Sequence, residues 1–122
     1  MSKPTTETIY LGAKFQLLAI IENGRCHVRE FIDSLNGSEQ KKMYALLKSA
    51  ADNGPPKNEE KFKKLNDDEL FEFKDFQRRI FCTFDKGKLI VLTHGFIKKS
   101  KKTPKSDIKR AKELLKLYRE ER

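Results

Sequence analysis

Apolar and polar positions in the first half of the chain predict one strand followed by two helices. The segment 14–22 (KFQLLAIIE) is apolar on both faces of an extended chain, which is typical of a strand covered on both sides. Apolar residues then recur at the spacing of an amphipathic helix over 28–35 and, after Asn36-Gly37, over 43–50. Ser38 is the expected N-cap of the second helix. Two short helices joined by a tight turn predict an αα-hairpin.

The second half of the chain changes to a period of two. Three alternating runs, ELFEFK, FQRRIFCTF and KLIVLTHGF, fill 69–96 and predict three consecutive strands, with a turn at 85–88 between the last two. Thr103 is the expected N-cap of a final helix, because Pro104 follows it and suits the first helical position. The polar segment 55–68 is expected to be a surface loop.

This order of elements, β-α-α-β-β-β-α, predicts an α+β fold with a small, mainly antiparallel sheet. We expect the N-terminal αα-hairpin and the C-terminal helix to cover one side of that sheet. The polar segment 1–12 is expected to be a flexible arm, and 13–122 a single domain.

The net charge of the chain indicates which class of partner it binds. The chain carries 27 Lys and Arg against 18 Asp and Glu, a net charge of +9, and such an excess favours polyanions such as nucleic acid. A soluble basic protein without such a partner is the alternative. No apolar run approaches the roughly 20 residues that span a bilayer, so we expect a cytoplasmic protein with no membrane partner. Cys26 and Cys82 lack metal-ligand spacing, and we expect reduced thiols.

Strand alternation identifies residues that share the open face of the predicted sheet. If Phe71 and Phe73 point into the core, Lys74 points the other way, and Arg79 and Phe81 of the next strand join it. Lys and Arg can hold a phosphate while a base stacks on Phe, as in single-stranded RNA recognition. The alternative is a solvated sheet face carrying an ion pair to Glu72.

A run of basic residues follows the last strand, in the sequence HGFIKKSKKTP. The lysines lie between a strand and a capped helix, which predicts a fixed phosphate-binding position for Lys98, Lys99, Lys101 and Lys102. A flexible, solvated charge run is the alternative. His94 could transfer protons near neutral pH, although a structural histidine explains its apolar neighbours equally well. No metal-ligand set, Walker loop, GxGxxG or nucleophile elbow is present, so we expect no metal and no cofactor.

The segment from Leu70 to Leu115 resembles the phage-derived, HigB-like branch of the RelE/ParE toxins of type II toxin–antitoxin systems. The resemblance rests on the acidic-x-basic strand end Glu72-Phe73-Lys74, on Arg79-Ile80-Phe81, and on the run from His94 to Pro104 before a helix. It implies a RelE-like fold for the whole domain.

The resemblance also implies a function. Members are ribosome-dependent endoribonucleases that cut mRNA without a metal, by attack of the ribose 2′-OH on the adjacent phosphate. By this resemblance Lys74 and Arg79 bind the scissile phosphate, Lys98, Lys99 and Lys102 hold the RNA backbone or the transition state, and His94 is a further catalytic candidate. The expected partners are a helix-turn-helix antitoxin, the ribosome and mRNA, with operator DNA bound only through the antitoxin complex.

Two alternatives remain open. A ParE-like toxin shares the fold and poisons DNA gyrase without cutting RNA, and an inactive relative would only bind nucleic acid. Many relatives place a Tyr or His near the end of the site, whereas the late aromatic here, Tyr118, lies on the presumed inner face of the last helix. The proton-transfer partner is therefore unassigned by the sequence.

Overall fold

The computed structural model describes residues 5–66 and 69–120 and has a mixed α+β architecture with three helices and a seven-strand open sheet. The elements, in chain order, are β1 Thr6–Leu11, β2 Gln16–Glu22, β3 Arg25–Cys26, α1 His27–Asp33, α2 Gly37–Asn53, β4 Phe62–Lys64, β5 Phe71–Asp75, β6 Arg78–Asp85, β7 Leu89–Ile97 and α3 Lys105–Glu120. The α+β class and the β5–β6–β7 meander agree with the prediction.

The strands are ordered β1-β2-β7-β6-β5-β4, and the short β3 pairs with β2. Strands β2 and β7 run parallel to each other, and the other pairs are antiparallel. Two expectations are wrong here. Residues 6–11 of the predicted flexible arm form the edge strand β1, and the predicted loop 55–68 contains the edge strand β4. Residues 1–4 of the arm and 67–68 of the loop lie outside the described residues.

The first face of the sheet is covered by α1 and α2. Their apolar stripes pack on Leu17, Phe73, Ile80, Cys82 and Leu92. Strand β7 approaches α1 so closely that a Cβ at Gly95 would overlap the ring of Phe31. Helix α2 begins two residues earlier than the sequence predicts, because Asn36 rather than Ser38 is its N-cap. Asn36 and Glu39 exchange hydrogen bonds of 2.9 and 3.1 Å in a capping box.

The second face is covered by α3, so the prediction that all helices lie on one side is wrong. Helix α3 packs mainly on β2 and β7, and the core between them contains Ile20, Phe81, Val91, Ala111, Leu114, Leu115 and Tyr118. Its first acceptor is the Pro104 carbonyl, which receives the amide of Ile108 at 3.3 Å. Pro104 therefore occupies the N-cap position predicted for Thr103.

Polar contacts fix the position of α3 along the sheet. Arg110 forms an ion pair with Glu22 of β2, and His27 Nε2 lies 2.9 Å from Glu22 Oε1. The hydrogen bonds from Arg110 and then His27 lower the pKa of Glu22. At the other end, the hydroxyl of Tyr118 donates to Asp85 Oδ2 at 2.6 Å. None of the helices in the described ranges is long and apolar enough to cross a bilayer.

Replacement of Gly95 by Ala tests the close contact between β7 and α1. The added methyl group overlaps the Phe31 ring, so we expect a loss of about 1–3 kcal/mol in the free energy of unfolding. Gly37→Ala is the matched control, because nothing lies within 4 Å of that position. Urea unfolding followed by circular dichroism measures both variants, and equal stability of the two would contradict the packing described.

Candidate nucleic-acid interface

A basic cleft of about 530 Å³ lies between strands β4 and β5 and the connection from β7 to α3. Of the residues that line this cleft, Glu72 is acidic, and Leu65 and Ile108 are apolar. Seven lysines also line it, namely Lys63, Lys64, Lys74, Lys98, Lys101, Lys102 and Lys105. Such a concentration of one sign of charge in a concave surface attracts a polyanion.

Lys74 and Arg79 occupy directly opposed positions in the β5–β6 ladder, so they share one face of the sheet as predicted. Lys74 is half-buried, and its Nζ donates to the carbonyl of Glu59 at 3.2 Å. Arg79 borders a second cleft of about 500 Å³ together with lysines of the β7–α3 connection. Lys74 and Arg79 therefore stand where the lysine cleft meets this second cleft.

Arg79 is far less open than the sequence suggested. It is 6% exposed, and Glu72 beside it is 3% exposed. Arg79 Nε lies 3.2 Å from Glu72 Oε1, but within the described structure the two atoms are not aligned as a hydrogen bond. The Nη1 group of Arg79 donates to the carbonyls of Phe76 and Arg78. Two opposite charges thus face each other in a buried position, where a lost partner is costly.

Phe81 is not on an open face, and its predicted role in stacking a base is wrong. Alternation places it on the same face as Lys74 and Arg79, but α3 covers this part of the sheet and the side chain is fully buried. Its ring packs edge-on against Phe96 at 4.9 Å and against His94 at 5.7 Å between centroids. Phe81 is a core residue under α3.

His94 lies under the first turn of α3. Its Nε2 is 3.0 Å from Asp107 Oδ1, and its Nδ1 is 3.2 Å from Thr93 Oγ1. Burial lowers the pKa of His94 below its ordinary value of 6.5, and the hydrogen bond to Asp107 opposes that effect in part. His94 is absent from the residues that line the clefts described above. Its contacts suit it to hold α3 in place.

A bulge in β7 explains why His94 faces α3. Ile80 pairs with Gly95, and Cys82 pairs with Leu92, so the single residue Phe81 lies opposite both Thr93 and His94. The extra residue lets two consecutive side chains turn towards the same face of the sheet.

The predicted lysine run is positioned by the sheet at its first residue. The Lys98 amide donates to the Gln77 carbonyl at 2.7 Å, which extends the pairing of β7 with β6. Lys98 and Lys101 line both clefts, Lys99 lines the second, and Lys102 lines the first. All four predicted phosphate-binding lysines therefore border one continuous basic surface.

Sequence reasoning did not assign Lys63, Lys64, Lys105 or Glu72 to the site. The sequence predicts a loop for Lys63 and Lys64, although the pattern Phe62-Lys63-Lys64 is compatible with a short edge strand. For Glu72 it predicts an exposed ion-pair partner. Its position two residues before Lys74, on the same face of β5, was the available signal.

No group of three or more His, Cys, Asp or Glu side chains in the described parts of the chain could hold a metal ion. Both cysteines are free, and burial raises the pKa of the Cys82 thiol. The charged groups that line the cleft are the seven lysines and Glu72. The chemistry available to the site is therefore that of ammonium and guanidinium groups around a carboxylate.

A family model described as phage-derived protein Gp49-like (DUF891) matches residues 30–116. The chain belongs to this Gp49-like family. The family is associated with RelE-like toxins. The matched span of this Gp49-like chain runs from α1 into α3 and contains every residue that lines the two clefts, whereas β1 and β2 precede it. No protein of curated function matches the chain.

The buried His94 makes the stability of this Gp49-like chain depend on pH. Because burial lowers its pKa in the folded state, the unfolded chain binds more protons below the unfolded value of about 6.5. The stability contributed by neutral His94 is therefore present above that pH and is lost as the pH falls towards the folded pKa. We expect the stability of His94→Gln to fall less than that of the unmodified chain between pH 7.5 and pH 5.5.

Chemical unfolding at a series of pH values measures this difference. His27→Gln is the control, since His27 contacts the partly exposed Glu22–Arg110 pair rather than the core under α3. Parallel stability curves for the unmodified chain and His94→Gln would contradict the assignment.

Proposed function

We propose that the chain is the toxin of a type II toxin–antitoxin pair, of the RelE/HigB-like kind, and that it cleaves mRNA on the ribosome. The observation that carries the proposal is the lysine-lined cleft that contains Lys74 and Glu72, with Arg79 paired to both of them at its border with the second cleft. Membership of the Gp49-like family supports the toxin class. The net charge of +9 supports an RNA target.

In this proposal the lysines bind RNA phosphates along the cleft. Lys98 and Lys101 border both clefts, so a strand that passes between them stays in contact with cations. Lys74 and Arg79 lie where the clefts meet and bind the scissile phosphate. Their positive charges stabilise the charge that develops on its oxygens during the reaction.

The reaction needs no metal. The ribose 2′-oxygen forms a bond to the adjacent phosphorus and loses its proton, and the bond from phosphorus to the 5′-oxygen of the next nucleotide breaks. The products are a 2′,3′-cyclic phosphate and a 5′-hydroxyl. Glu72 accepts the 2′-OH proton, since it is the carboxylate that lines the cleft beside Arg79. The leaving oxygen takes up a proton from a neighbouring lysine or water.

His94 acts in this scheme as a positioning residue. Its ring holds Asp107 in the first turn of α3, and the same turn carries Lys105 into the cleft. Loss of the ring would displace the lysines without removing a reacting group.

The partners follow from the toxin class. A helix-turn-helix antitoxin neutralises the toxin, the complex of the two binds operator DNA, and the ribosome presents the mRNA in the cytoplasm. These partners rest on the resemblance of 70–115 to the HigB-like branch rather than on any contact in the structure.

A second candidate function is nucleic-acid binding without cleavage. The burial of Arg79 and Glu72 favours it, because a phosphate must reach groups that are almost covered in the free protein. A gyrase-poisoning toxin of the ParE kind is the third possibility.

Incubation of the purified chain with ribosomes programmed with a defined mRNA tests the proposal. We expect cuts with cyclic-phosphate and 5′-hydroxyl ends, and no cut where the scissile ribose carries a 2′-O-methyl group. Lys74→Ala should slow cleavage by a factor on the order of 100, and Lys116→Ala, an exposed lysine of α3 outside both clefts, should not.

Two other results would support the two other candidate functions. Growth arrest with intact transcripts and an SOS response would identify a gyrase poison. Absence of toxicity together with retained RNA binding would identify the non-cleaving relative.

The roles of Arg79 and Glu72 in cleavage have to be tested with conservative substitutions, because the two side chains form a buried pair. Arg79→Ala leaves the Glu72 carboxylate buried without its partner, so we expect it to lose about 3–5 kcal/mol of stability, which confounds any loss of toxicity. Arg79→Lys keeps the charge but removes the planar fork, and we expect a folded protein that cleaves slowly. Glu72→Gln should lose cleavage while binding 2′-O-methyl RNA as tightly as the unmodified chain or more tightly.

Cleavage and binding measured side by side separate a proton acceptor from a structural residue. A structural defect in Glu72→Gln would weaken RNA binding as well as cleavage, whereas loss of the proton acceptor weakens cleavage alone. Cleavage by Glu72→Gln at the unmodified rate would exclude Glu72 as the proton acceptor.

A further inference from the structure

The turn between β5 and β6 carries an aromatic residue in an unfavourable position. Asp75 pairs with Arg78, so Phe76 and Gln77 form a two-residue hairpin turn. Phe76 has a φ of +54° and is 73% exposed. Positive φ at such turns is usually occupied by Gly, Asn or Asp, and a bulky residue there is an outlier. Backbone strain and an exposed aromatic ring therefore occur at the same position, and this combination points to a role of Phe76 in binding.

Cations hold the Phe76 ring in place. The guanidinium carbon of Arg78 lies 5.6 Å from the ring centroid, and Lys42 Nζ lies 5.5 Å from it. Arg78 is itself fixed, because Nη2 is 2.6 Å from Asp75 and Nη1 is 2.7 Å from Glu39. Lys42 is an exposed residue of α2 and can move aside. The ring is thus presented on a rigid support.

The ring also adjoins the basic surface. Phe76 borders a cleft of about 390 Å³ together with Glu60, Lys61, Lys74 and Arg79. It borders another of about 540 Å³, lined by Lys42, Ala45, Leu46, Lys61 and Asp75. Because Lys74 also lines the lysine cleft and Arg79 also lines the second cleft, basic residues continue without a break from the lysine cleft to the Phe76 ring.

We propose that Phe76 is a stacking platform for a base of single-stranded RNA whose phosphates are bound by Lys74, Arg79 and the β7–α3 lysines. Single-strand binding sites commonly combine a cationic groove with an aromatic ring, because every base has a face that can stack. The inference deepens the proposed function, since it assigns a base-binding position beside the proposed reacting phosphate.

Charge favours RNA over a protein as the occupant. Lys42, Lys61, Lys74 and Arg79 surround the ring. Of the carboxylates beside it, Asp75 is engaged by Arg78, which leaves Glu60. Arg79 is paired with Glu72, but an apolar protein segment on the ring would leave the excess of lysine charge without compensation. A nucleotide supplies a stacking surface and a phosphate together.

Fluorescence anisotropy with a 2′-O-methyl RNA oligonucleotide tests the inference. This probe resists cleavage by 2′-OH attack, so binding is measured whether or not the protein is an endoribonuclease. We expect Phe76→Ala to bind roughly 10- to 100-fold more weakly, Phe76→Tyr to bind normally, and Phe76→Leu to bind as weakly as the alanine variant. Leu11→Ala, at another exposed apolar residue, is the control.

An abasic series identifies stacking itself. Removal of one base from the oligonucleotide, moved along the strand, should weaken binding to the unmodified chain at one position and have little effect there on Phe76→Ala. Phe76→Gly should lose binding while its stability stays equal or rises, because glycine adopts a positive φ without strain.

Three results would overturn the inference. They are equal RNA affinity of Phe76→Ala and the unmodified chain, an abasic effect of equal size in both, and absence of RNA binding by the unmodified chain. If Phe76→Ala keeps RNA affinity but loses a protein partner, the ring is a protein contact instead. Loss of RNA cleavage with stacking intact would contradict only the proposed reaction.

Discussion

Docking of α3 against the second face of the sheet determines where the candidate site lies. Burial of a side chain such as Leu114 or Leu115 contributes about 1.5–3 kcal/mol, whereas a partly exposed ion pair such as Arg110–Glu22 contributes about 1 kcal/mol or less. The apolar contacts therefore drive docking, and the polar ones select its position. Because α3 rests mainly on β2 and β7, it leaves the outer strands β4 and β5 open beside its first turn. The lysine cleft is the space that remains there.

The same docking explains what the sequence could and could not predict. The β5–β6–β7 meander and the shared face of Lys74 and Arg79 follow from alternation, a local property. Alternation also placed Phe81 on the correct face, but which helix covers that face is a non-local matter, and α3 buries the ring. The sequence does not predict the edge strand β1, because half of its residues, TETIYL, are polar and only Ile9 is buried. Its pairing with β2 is what makes it a strand.

Within the site, the lysines of 98–102 can be predicted from the sequence, because four of them lie within five residues between the strand β7 and the helix α3. An ion pair to Glu72 could be anticipated as well, but its burial with Arg79 could not, since burial depends on how the β7–α3 connection crosses the outer strands. A guanidinium and a carboxylate held together at 3.2 Å in a nearly dry position are expensive to separate. Their nearness keeps both charged groups fixed in orientation before any ligand arrives. Orientation in advance of binding is what electrostatic catalysis needs, because groups that need not reorganise stabilise developing charge most effectively.

Seven lysines around one cleft repel one another, and this repulsion reduces the stability of the free protein. Glu72 does not offset it, because its carboxylate is already paired with Arg79. Lys101, Lys102 and Lys105, which belong to these seven, are exposed, so moving their charges elsewhere on the surface would relieve the repulsion without cost to the core. The polyanionic ligand of the proposed function would compensate these charges, which would account for their concentration at one cleft. Under the proposed function, a polyanion that binds only the folded state would restore the lost stability by mass action. Stability and occupancy of the cleft would then be coupled, and a base stacked on Phe76 would offset the backbone strain at that position in the same way.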